Sequence, residues 1–146
     1  MRPGGEAGTV PPEPDEAGSA VVEFIFLGLL LLVPVVYLVI TAGQVQGASF
    51  AVVNAADSAA KVYAAAPDAL TAEQRAAAAA DLVLADFGLE TEGMLMEVRC
   101  SEACLAPGST VTVSVRFTVP LPGVPWLSGS PVVVDSESTQ VVERFG

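Results

Sequence analysis

Hydrophobic and polar positions fall into three regimes along the chain. From Val21 to Ile40 there is no alternation: the run is continuously apolar, with Glu23 as its single acidic or basic residue. At about 1.5 Å per residue it spans roughly 30 Å, the thickness of a bilayer's hydrocarbon core. Ser19 is the expected N-cap, and Pro34, which lacks an N–H, predicts a mild kink. From Val45 the period becomes helical, with Val45, Ala48, Val52, Ala55, Ala59, Val62 and Ala66 on one narrow stripe of small residues and Asn54, Asp57 and Lys61 opposite. Asp57 and Lys61 have the i, i+4 spacing and order of a favourable helical ion pair. Neither Gly nor Pro interrupts Ala48 to Ala66, and Pro67 ends the pattern, so one helix of roughly 70 Å is predicted from about Val21 to about Ala66.

A second helix is predicted over Thr71–Phe87. Thr71 and Gln74 have capping-box spacing, Ala72, Ala76, Ala79, Val83 and Phe87 form the apolar face, and Gly88 is the stop. After Gly88 the period changes to two. Met94, Met96, Val98 and Cys100 alternate with Leu95, Glu97 and Arg99, and Val111, Val113, Val115, Phe117 and Val119 alternate with Thr112, Ser114, Arg116 and Thr118. Val132–Glu143 is a third, less regular strand, in which Asp135, Ser136, Glu137 and Ser138 interrupt the apolar positions. The expected fold class is α+β, with a long N-terminal helix, a second short helix and a small three-stranded antiparallel sheet. Residues 1–18 read as a disordered Pro- and Gly-rich leader, 19–41 as a transmembrane helix, and 42–146 as an α+β domain.

Composition narrows the function classes. A net charge of −11, with six basic residues scattered singly, argues against nucleic acid, since a phosphate backbone requires clustered Lys and Arg. The chain has no histidine and two cysteines, Cys100 and Cys104, which removes the commonest general base and leaves too few ligands for a thiolate zinc site. No P-loop, nucleophile elbow or dinucleotide fingerprint occurs. The expectation is a protein that is not an enzyme, uses no cofactor or metal, and takes no small-molecule substrate. In an exported chain Cys100 and Cys104 read as a short structural disulfide, the alternatives being two reduced buried thiols or a redox pair. Trp126, in the proline-rich loop Pro120–Pro131, is either a contact for a partner or the membrane interface, or a lid over the sheet.

The most specific motif is GSAVVEF, in which Gly18 is followed after four residues by Glu23 and Phe24 and then by the membrane-length run. It resembles a prepilin processing signal. With the long Ala-rich helix behind it, the chain is similar to the TadE-like pseudopilins of tight-adherence (Flp) pilus machines. The motif match covers Gly18–Phe24, and the helix–helix–sheet order extends a looser likeness beyond Ser19.

The resemblance implies that prepilin peptidase cuts between Gly18 and Ser19. Glu23, fifth in the mature chain, would then pair with the terminal ammonium of a neighbouring subunit. It further implies a single-pass cell-membrane protein with an extracytoplasmic C-terminal domain, working with other pilins or pseudopilins and pilus-assembly proteins. Asp15 and Glu16 stand where such leaders usually carry Lys or Arg. Other readings of the same residues are a Glu23 that snorkels to the interface, a membrane-tethered binding domain without a pilus role, and a secreted protein cut near Ala42 or Gly43. Gly43 and Gly47 also form a GxxxG spacing, a weak signal in so Gly- and Ala-rich a chain.

Overall fold

Residues 1, 4, 5, 8, 16–122 and 131–143 are described by a computed structural model. Most of the leader, Trp126 and Arg144 lie outside the described residues. The chain divides into two compact units, Met1–Leu38 and Val39–Gly146. In chain order the elements are α1 (Glu16–Ala64), α2 (Ala69–Asp86), a 3-10 turn (Thr91–Gly93), β1 (Met94–Cys100), β2 (Thr110–Val119) and β3 (Val132–Val141). The α+β class, the two helices and the three antiparallel strands agree with the sequence pattern.

The regular structure of the first unit is α1 up to Leu38. The helix starts at Glu16, not at an N-cap on Ser19, and it runs through Pro34. Its apolar residues cover one another no more than helix geometry requires: Val21, Phe24, Leu31 and Leu38 are all exposed. α1 is the single helix among the described residues that is long and apolar enough to cross a membrane.

The second unit is a two-layer structure, with the rest of α1 and α2 packed on one face of the sheet. β2 is central and antiparallel to both neighbours, with Met94 opposite Phe117 and Cys100 opposite Val111 on one side, and Thr110 opposite Val141 and Val119 opposite Val132 on the other. The strict alternation of β2 sends Val111, Val113, Val115, Phe117 and Val119 into the core, where each is buried. α1 contributes mostly alanine to the same core. Its buried positions are Ala48, Ala51, Val52, Ala55, Ala56, Ala59, Ala60 and Tyr63, and Ala66, just past its end, is buried as well. Consecutive pairs such as Ala55 and Ala56 make this arc wider than the expected narrow stripe, and Tyr63 replaces Val62 in it. Burial, with a smaller contribution from the negative charge of Glu73, raises the Tyr63 phenol above its ordinary pKa.

The N-cap of α2 lies three residues before the one expected at Thr71. Asp68 is the N-cap, its carboxylate accepting from the Thr71 N–H at 2.9 Å and from the Thr71 hydroxyl at 2.8 Å. Thr71 is therefore a donor to the cap, and the pairing with Gln74 is not the one used. The buried face is Ala72, Ala76, Ala80 and Leu84, an i, i+4 row rotated from the expected one. Phe87 is left half exposed. The stop at Gly88 is as expected: with φ of +71° it lets the Leu89 N–H reach the Leu84 carbonyl and its own N–H reach Ala85, a Schellman closure.

Gly93 ends the 3-10 turn beneath β2. A Cβ there would sit 3.2 Å from the Thr118 carbonyl oxygen and 3.3 Å from the Phe117 ring. The inner face of β3 carries Ser136, Ser138 and Gln140, half-buried. Two of them donate long hydrogen bonds, of 3.4 and 3.5 Å, to Asp57 on α1. Asp57 also pairs with Lys61 at 2.7 Å, as its spacing predicts, so it belongs to the boundary between α1 and β3 and not to a solvent face.

Candidate functional site

The residues singled out by motif lie together on the first turns of α1. Gly18 and Ser19 are helical and exposed, as are Glu23 and Phe24, the latter 77% exposed. The Gly18–Ser19 peptide therefore sits inside a helix and not in an extended segment before it. A helix's first turn has no hydrogen-bond acceptor for its leading N–H groups, and Gly is a weaker helix former than Ala, so both features favour opening of this turn. Among the described residues Glu23 makes no hydrogen bond and no ion pair. It is an acid on an otherwise apolar surface flanked by Val21, Val22, Phe24 and Leu27. In hydrocarbon, such a carboxylate costs on the order of 2.5–3.5 kcal/mol at mid-depth, and less near an end.

The cysteines are in the second unit, where β1 leaves the sheet. Their sulfurs are 2.07 Å apart, at bonding distance, with the Cα atoms 5.4 Å apart. The turn they close continues through Leu105, a buried side chain held at φ +65°, and Gly108 at +81°. It then ties to the end of β3: Gly108 donates to the Val142 carbonyl at 3.0 Å, and Val142 to that of Ser109 at 2.8 Å. The disulfide is thus a local staple on a loop that already pairs with the sheet.

The outer face of the sheet, which sequence reasoning did not single out, carries a polar cluster. Arg99 reaches Glu137 at 2.5 Å, and Ser114, on the strand between them, donates to the same carboxylate at 2.8 Å. The three residues alternate with core positions on three adjacent strands, so only the strand register brings them together. Gly43 and Gly47 line an apolar groove of α1 closed by the end of α2 and the end of β2. Among the described residues no three His, Cys, Asp or Glu side chains converge on a common point.

No family model matches this chain, and no curated protein and no solved structure does.

Proposed function

We propose that the chain is a membrane-anchored minor pilin or pseudopilin of the TadE-like kind, acting in assembly of a Flp-type pilus or a related secretion machine. The observation that carries this reading is Glu23, a carboxylate without a partner among the described residues, on the apolar surface of α1 five residues beyond Gly18. An acid in that place is stabilised when a neighbouring subunit brings an ammonium to it in a low-dielectric setting, and it is a net cost otherwise. Cleavage after Gly18 supplies such an ammonium on Ser19 of each copy. The reaction requires the first turn of α1 to open, which the glycine in it favours. The helix then holds the subunit in the cell membrane as a single pass, and the α+β unit stands on the extracytoplasmic side, where an oxidising compartment maintains Cys100–Cys104.

Mass spectrometry of the mature N-terminus in cells expressing prepilin peptidase tests the reading. A start at Ser19 supports it. An intact leader favours a tethered binding domain, and a start near Gly43 removes the anchor altogether. Glu23→Ala is expected to leave cleavage intact while abolishing pilus output and cross-linking to other pilins, and unchanged output would rule out the assembly role.

A further inference from the structure

The apolar run of α1 gives out at Ile40, and a cavity of about 490 Å³ opens there within the second unit. Ile40, Gly43 and Gly47 form one wall, Phe87 and Leu89 a second, and Val119 with Pro120 the third. Nothing packs on α1 at these two glycines: a Cβ at either would meet no heavy atom within 4 Å. Phe87 remains 46% exposed beside it, and Val39 and Ile40, which continue its apolar surface, are 64% and 50% exposed. Along α1, Gly43 and Gly47 lie ~4.5 and ~10.5 Å past Ile40. The headgroup layer takes up about 5–7 Å beyond the hydrocarbon edge. A groove whose floor starts at the last residue of the apolar run therefore opens at the depth where acyl chains meet headgroups.

Charge selects among occupants. Among the described residues no Lys or Arg lines the groove, while Glu90 and Glu92 line the adjoining hollow that shares Gly88, Leu89 and Pro120 with it. A second copy placed against this face by two-fold symmetry would bring like charges together, and an anionic headgroup would meet the same acids. A zwitterionic phospholipid meets neither penalty. We infer that this groove seats the glycerol and upper acyl region of a zwitterionic phospholipid. The inference depends on the membrane-spanning reading above, and the test separates the two.

The full chain is placed in phosphatidylcholine nanodiscs, with and without bromine on carbons both near the top and near the ends of the acyl chains. The single tryptophan is removed by Trp126→Phe, and Leu30→Trp, Phe87→Trp or Leu95→Trp is then introduced one at a time. Leu30 lies in the apolar run and Leu95 on the open face of the sheet, 69% exposed. Brominated lipid is expected to quench Leu30→Trp and Phe87→Trp and to leave Leu95→Trp unchanged. A Phe87→Trp that is quenched by aqueous acrylamide as strongly as Leu95→Trp, and not by lipid, overturns the inference while a quenched Leu30→Trp preserves the span. A Phe87→Trp shielded from both quenchers also overturns it, because protein then closes the groove. An unquenched Leu30→Trp overturns the span and the inference together.

Discussion

Leu82 and Leu84 lie two residues apart on α2, yet the structure assigns them opposite fates: Leu84 is fully buried and Leu82 is 65% exposed. Truncating each to alanine is a sharp test of how α2 is rotated on the core. Leu84→Ala removes three carbons from among the core residues of the second unit. At ~0.8 kcal/mol for each the transfer loss is about 2.4 kcal/mol, and incomplete collapse of the cavity brings the total to about 3–4 kcal/mol. The backbone carbonyl that closes the Schellman turn is retained, so no capping loss is added. Leu82→Ala removes the same atoms from water-exposed surface, keeps a good helix former, and is expected to change stability by less than about 0.5 kcal/mol. For a unit of this size each kcal/mol shifts Tm by about 4 °C, so Leu84→Ala is expected to melt about 12–16 °C below wild type and Leu82→Ala within about 2 °C of it. Far-UV circular dichroism of the full chain in a mild detergent reads both. Equal shifts for the two variants, or a Leu84→Ala shift as small as that expected of Leu82→Ala, would refute the placement of α2.

Alkylation under denaturing, non-reducing conditions is expected to label no cysteine. The double variant Cys100→Ser, Cys104→Ser should lose about 2 kcal/mol, the loop-closure value for so short a ring; an unchanged melt would show that the loop's pairing with Val142 suffices by itself. Asp68 is held below the ordinary carboxylate range first by the Thr71 N–H and then by the Thr71 hydroxyl. Because the folded-state pKa is depressed, its contribution is complete above the ordinary value and is lost as pH falls through the lowered one. The melting difference between wild type and Asp68→Ala should therefore be constant from about pH 8 to 5 and close below about pH 3.5, whereas a difference independent of pH down to pH 2 would remove the capping role.

Element types were legible because each rests on a local period. The two-residue alternation from Val111 to Val119 matches the buried face of β2 at every position, since side chains on a strand have no other choice of face. The i, i+4 pair Asp57–Lys61 and the Gly88 stop were legible for the same reason: one helical turn contains all the atoms involved. Faces of Ala-rich helices were not. With Ala72, Ala76, Ala77, Ala78, Ala79 and Ala80 in one helix, several neighbouring stripes are equally apolar, and the choice between a row ending on Val83 and Phe87 and one ending on Leu84 falls to whatever packs against it. The cap on Asp68 was overlooked for a different reason. Thr71 carries its own capping signature, and the sequence does not say which of two candidate oxygens lies outside the helix.

The sequence by itself determined a membrane-length apolar helix, the acid set one turn into it, a second helix and three strands, the first two with their in and out faces. These are properties of consecutive residues, and burial periodicity records them directly. Only the tertiary structure decided what depends on residues distant in the chain. Strand register joins Arg99, Ser114 and Glu137 across three strands. Helix rotation selects Leu84 over Val83 for the core, and the meeting of α1, the end of α2 and the end of β2 turns an unremarkable pair of glycines into a groove. Glycine has no side chain to mark a face, so its role as the floor of that groove becomes visible only when the walls are in place.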